Sequence, residues 1–122
     1  MYKKGDFEFD FERLRVYQKS LDFIDSIFRI YEKLPQDLKY TLGGNLIRAG
    51  LSIANNIAEG STKRSSKEKH RFYETSSGST RECTSVFNVL KRQNLLDDKD
   101  YIGLRSDGRE ITSMLRGLID SL

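Results

Sequence analysis

A chain of 122 residues, 37% apolar and 32% charged, supports one domain built on one modest core. Its apolar runs never approach the ~20 residues a membrane span needs, and its opening, MYKKGDFEFD, lacks the apolar stretch of a secretory signal. The net charge is +3, and the single cysteine, Cys83, excludes an internal disulfide and fits a reducing, cytoplasmic setting.

Residues 1–8 read as an N-terminal tail, and residues 9–122 as a single helical domain. The first helical pattern begins near Phe11. Leu14, Tyr17, Leu21, Ile24, Phe28 and Tyr31 recur at alternating steps of three and four, the spacing of a heptad seam. A second apolar set, Val16, Phe23, Ile27, Ile30 and Leu34, runs beside it. Two seams are more than one bundle contact uses, so the extra one predicts a further buried face, against another helix or another subunit. Pro35 ends the helix.

The second helix is predicted from Asp37 to Glu59, with Gly60 just beyond its end as the C′ residue. Leu42, Leu46, Ala49, Ile53 and Ile57 form its apolar line, while Gly43, Gly44, Gly50, Ala54 and Ala58 keep it thin. Each glycine costs a helix ~1 kcal/mol against alanine, so a close neighbour must offset it. On the same helix Asn45, Arg48, Ser52, Asn56 and Glu59 share one face, flanked by Asn55. Between thin helices such a stripe is partly buried and must be hydrogen-bonded throughout. Glu74, Arg81, Glu82 and Ser85 are its expected partners, with Arg48 pairing to Glu82 first. Without histidine, cysteine or closely paired carboxylates, the stripe reads as a structural network and not a catalytic site.

Ser65 and Glu68 have the spacing of a capping box and open a third helix that runs to about Leu95. Phe72, Ser76, Ser79, Cys83, Val86 and Leu90 keep the heptad phase across the weak helix former SSGST (76–80), which favours one continuous helix. Asp97 or Asp98 caps the fourth. There Tyr101, Leu104, Gly108, Ile111, Leu115, Leu118 and Leu122 step by three and four. No strand alternation competes. Four helices with short connections predict an all-α, antiparallel up-down-up-down four-helix bundle.

The charge is uneven. The segment STKRSSKEKHR (61–71) sets Lys63, Arg64, Lys67, Lys69 and Arg71 against Glu68, a local +4 that leaves the rest of the chain at −1. This is a local anion-binding signal, and these five cations are the candidate nucleic-acid contacts. Arg64 and His70, the only histidine, offer a second reading: arginine holding a scissile phosphate while histidine moves a proton, a metal-independent ribonuclease. A carboxylate-bridged metal bundle is rejected, because it needs Glu-x-x-His on two helices. No cofactor is implied.

LIRAGLSIANNIAEG, KRSSKEKHRFY, the Gly78-Ser79…Glu82 spacing and the opening FERLRVYQKSLDF together resemble the 23S rRNA intervening sequence proteins, over about residues 9–122. Ile47 stands where the family phrase has its first arginine, and Ser77 where it has alanine before Gly-Ser. The resemblance implies a four-helix bundle assembled as a homopentamer and an association with RNA, because genes of this family lie within insertions in ribosomal RNA genes. A distant relative accompanies retroelement reverse transcriptases and binds nucleic acid. The expected function is therefore an oligomeric, non-catalytic RNA-associated binding or scaffold module. DNA, a reverse transcriptase or another protein are the alternative partners, and no membrane partner is expected.

Overall fold

The computed structural model describes residues 7–122, so the tail expected over residues 1–8 lies mostly outside the described residues. Four long helices form: α1 (Arg15–Lys33), α2 (Gly44–Thr62), α3 (Ser66–Arg92) and α4 (Asp98–Asp120). Among the described residues there is no strand. Each helix packs on its chain neighbours, and α1 meets α4 to close the ring, giving an antiparallel up-down-up-down bundle.

Phe11 belongs not to α1 but to a short 3₁₀ turn, Asp10–Arg13, set off by extended backbone at Leu14. Phe7, Phe9, Phe11 and Tyr17 form a chain of ring contacts with centroids 5.1, 5.9 and 5.0 Å apart. Of the two seams on α1, the second is the one that enters the core. Val16, Ser20, Phe23, Ile27, Ile30 and Leu34 are buried, stepping four, three, four, three, four. In the first seam only Ile24 is buried, and Phe28 is 43% exposed. Both seams have heptad spacing, so periodicity does not choose between them. The choice falls on the set whose members meet the other helices, as where the Phe23 and Phe87 rings pack edge to face at 5.9 Å.

The chain after Pro35 is already helical: one turn, Gln36–Leu38, then a π-helical segment, Lys39–Gly43, feeding α2. A Cβ on Gly43 would lie 2.8 Å from the Tyr31 ring, so glycine permits the close pass against α1. The expected helix end at Gly60 is corrected. The helix continues to Thr62, and Lys63 is its C-cap. Gly60 is glycine for packing, because a Cβ there would come within 2.8 Å of the Tyr73 ring and 2.9 Å of Phe72 Cβ.

In α3 the SSGST stretch stays helical, and its small residues are where α2 approaches. This helix ends at Arg92, short of Leu95. Asn94 takes the left-handed conformation at φ 60°, and the Leu95 N–H reaches back to the Leu90 carbonyl at 2.9 Å. Asp97 caps α4, accepting from the Asp100 N–H at 2.8 Å. Leu104, Gly108, Ile111 and Leu115 bury its seam. Lys19 clamps α1 to α4 through Asp107 at 3.2 Å and Glu110 at 3.1 Å.

Candidate nucleic-acid interface

The basic segment sits at one end of the bundle, where three residues, 63–65, join α2 to α3. The turn is tight because both helix ends are satisfied locally. Ser65 Oγ accepts from the Glu68 N–H at 3.1 Å at the start of α3. Lys69 Nζ donates to the last-turn carbonyls of α2, Ser61 at 2.9 Å and Gly60 at 3.4 Å. A cation there also meets the negative end of the α2 dipole. Lys69 is thus half-buried and occupied as a cap.

Two of the other four cations, Lys63 and Arg71, flank the half-buried Phe72. Lys63 Nζ lies 5.2 Å and Arg71 Cζ 5.0 Å from the Phe72 ring centroid. Lys63 also reaches Glu59 at 3.6 Å. Arg64 and Lys67 are exposed, and no carboxylate lies within 4.0 Å of either among the described residues. Among the described residues no carboxylate lies within 4.0 Å of Arg71 either. The end of the bundle therefore presents Arg64, Lys67 and Arg71 to solvent with their charge unneutralised. His70 is exposed beside Glu74, with Nε2 3.7 Å from its carboxylate, and the same carboxylate stands 3.6 Å from Arg116 of α4. Glu74 and Arg116 were not part of the expected interface. Arg116 comes from a different helix, and no local signal in the sequence places it there.

The polar stripe of α2 divides. Its centre is a hydrogen-bonded network: Ser52 Oγ meets Ser79 Oγ at 2.8 Å, and Asn56 Nδ2 donates to the Ser52 carbonyl at 2.8 Å and to its Oγ at 3.0 Å. Ser76 Oγ donates to the Ile53 carbonyl at 2.9 Å in full burial. The ends of the stripe are solvated. Asn45, Arg48 and Glu59 are exposed. The expected Arg48–Glu82 pair does not form. Arg48 Nη1 donates instead to Asn45 Oδ1 at 3.0 Å, one turn away on its own helix. The physical reason is desolvation: a long side chain at the margin of a contact keeps its guanidinium in water, while only the short hydroxyls and amide enter the interface. The true partners on α3 are Ser76 and Ser79, which the heptad pattern assigns to the apolar seam.

No helix among the described residues is long and apolar enough to cross a membrane. No curated protein matches the chain. In fold it is similar to a protein of unknown function from the S23 ribosomal protein family of Bacteroides thetaiotaomicron. The two are 24% identical at a TM-score of 0.79, over 85% of this chain and 97% of that one. The family described as 23S rRNA-intervening sequence protein matches residues 12–117, nearly the whole bundle. The chain belongs to the 23S rRNA-intervening sequence protein family.

Proposed function

We propose that the protein is a homo-oligomeric scaffold, most simply the pentamer that the family resemblance implies, and that it associates with RNA without cleaving it. The observation that carries the RNA reading is the trio Arg64, Lys67 and Arg71, exposed at one end with no acid partner within 4.0 Å among the described residues. Lys63 lends partial charge, and Lys69 serves mainly as a cap. Phosphate contacts of this kind are insensitive to base sequence. The family's link to ribosomal RNA genes favours RNA over DNA.

Assembly is supported by the unused seam. Phe28 is 43% and Leu51 44% exposed, on the adjoining helices α1 and α2, with Leu21 and Ile47 half-buried near them. Leu21 and Phe28 are seven residues apart on α1, and Ile47 and Leu51 four apart on α2, so each helix carries an incompletely covered apolar stripe that fits a subunit contact.

One contact gives the ribonuclease alternative some footing: Glu74 stands beside His70 as an orienting carboxylate would. One preparation tests both readings. Titrated with a single-stranded RNA oligomer, the wild-type protein should bind with log K falling by ~0.7 per neutralised phosphate as log salt rises. Lys63→Gln, Arg64→Gln and Lys67→Gln together should flatten that slope, and prolonged incubation should leave the RNA intact. Cleavage that disappears in His70→Ala would replace the scaffold with the enzyme. No binding at low salt would leave a protein partner as the remaining reading.

A further inference from the structure

A second cationic surface lies between α3 and α4. Along α4, Arg105, Arg109, Thr112 and Arg116 recur at steps of four, three and four, so they line one face. Arg81 of α3 stands across from them. These side chains edge two adjoining cavities of about 370 and 300 Å³, which share Arg81 and Thr112. The floor is made of small groups. A Cβ on Gly108 would meet Thr84 Oγ1 at 3.3 Å and Thr80 Cγ2 at 3.6 Å, so the two helices approach closely there.

Among the described residues no carboxylate lies within 4.0 Å of Arg81, Arg105 or Arg109. Arg105 is held in place by neutral groups: Nη1 donates to Asn88 Oδ1 at 2.9 Å, and its guanidinium lies 5.5 Å from the Tyr101 ring centroid. Asn88 is fixed in turn by the Tyr101 hydroxyl at 2.7 Å. Arg116 is paired with Glu74, but Arg81, Arg105 and Arg109 stand apart from acids and form an acceptor-seeking surface, and guanidinium forks match phosphate oxygens.

We infer that the α3–α4 groove binds the phosphate backbone of single-stranded RNA through Arg81, Arg105 and Arg109, extending the site at the α2–α3 turn. This rests on the RNA reading above. Length favours a polymer over a single anion: Arg105 to Arg116 spans ~16 Å of helix, room for about three to five phosphates at 3.4 Å or more per nucleotide. Width favours one strand, because packed helices stand only about 8–10 Å apart. Glu74 lines the 300 Å³ cavity and stands 3.6 Å from Arg116, so the end of the groove nearest the turn is partly neutralised and the phosphate contacts fall to Arg81, Arg105 and Arg109.

The test compares three variants of the full protein on a 20-residue oligouridylate across a salt series. Arg81→Gln, Arg105→Gln and Arg109→Gln together should lower the slope of log K against log salt by about 2, at ~0.7 per phosphate contact. Arg15→Gln, Lys33→Gln and Lys99→Gln together remove the same charge elsewhere and should leave the slope within error of wild type. The wild-type protein supplies a readout independent of any variant's folding. Bound RNA should protect Arg81, Arg105 and Arg109 from phenylglyoxal, read by mass spectrometry, while Arg15 remains reactive. If the groove variant follows the charge-matched control and the arginines stay reactive, the groove is overturned. The turn as an RNA site then survives, provided that Lys63→Gln, Arg64→Gln and Lys67→Gln still flatten the slope. If the wild type binds no RNA at low salt, both fall together.

Discussion

Cys83 is buried at the centre of α3, and its thiol pKa is pushed up to about 12, first by burial and then by the charge of Glu82. The thiolate is the nucleophile, so the native protein should resist iodoacetamide at pH 8 and react fully once unfolded. The same shift sets a pH dependence. The folded state holds the proton more tightly than the unfolded chain does, so this contribution is intact below the ordinary value of 9.0 and is lost as pH rises toward about 12. Thermal melts across that window should show falling stability, and rapid alkylation of the folded protein at pH 8 would contradict the burial. Arg48 and Ser76 form a second contrast. Arg48→Ala removes an exposed side chain bonded only to Asn45 and should change stability by no more than about 0.5 kcal/mol. Ser76→Ala removes a fully buried hydrogen bond to the Ile53 carbonyl and should cost about 1 kcal/mol in urea melts, despite being the smaller change.

Helix contacts depend on where a side chain is missing. Gly60 and Gly78 are both helical, and the structure gives them opposite expectations. Gly60→Ala drives a methyl into Phe72 and Tyr73, contacts near the α3 backbone that yield only if the helices separate; overpacking of this kind costs about 1–3 kcal/mol. Nothing lies within 4 Å of a Cβ on Gly78, so Gly78→Ala should stabilise the protein by about 0.5–1 kcal/mol through helix propensity alone. Denaturant midpoints of the two variants should move in opposite directions. Equal shifts would mean that the α2–α3 contact is looser than the geometry shows.

For the whole molecule, the proposed assembly and the proposed RNA contact are coupled. A few phosphate contacts per subunit give weak binding, and repetition around an oligomer raises it through effective concentration. Phe28→Asp with Leu51→Asp places charge on the exposed seam of α1 and α2 while leaving every cation in place. Light scattering should then report the 14.1 kDa monomer where the wild type forms a larger particle. RNA affinity should fall about 10²-fold or more, although the double variant keeps all its positive groups. A wild-type protein that already scatters as a monomer would remove both the assembly and this dependence.

Helix number, the continuity of α3 through SSGST, the Ser65 cap, a cap at Asp97 or Asp98 and the antiparallel bundle are all legible in the sequence, because each rests on local periodicity, on short connections or on one side chain bonding to backbone three residues away. The tightness of the α2–α3 pairing is legible too, since only a close neighbour offsets so many small residues. Other features depend on neighbours distant in the chain. Two seams of equal spacing on α1 cannot be ranked until the other helices are in place. Gly60 has the look of a helix terminator until Tyr73 is seen beside it. Arg48 and Ser76 exchange roles, the charged residue remaining in water and the seam serine entering the network. The arginine groove is assembled from Arg81 on one helix and Arg105 and Arg109 on the next. Local sequence sets which way each helix can face. Only packing decides which face is covered, because burial is a property of pairs of surfaces and not of one strand of residues.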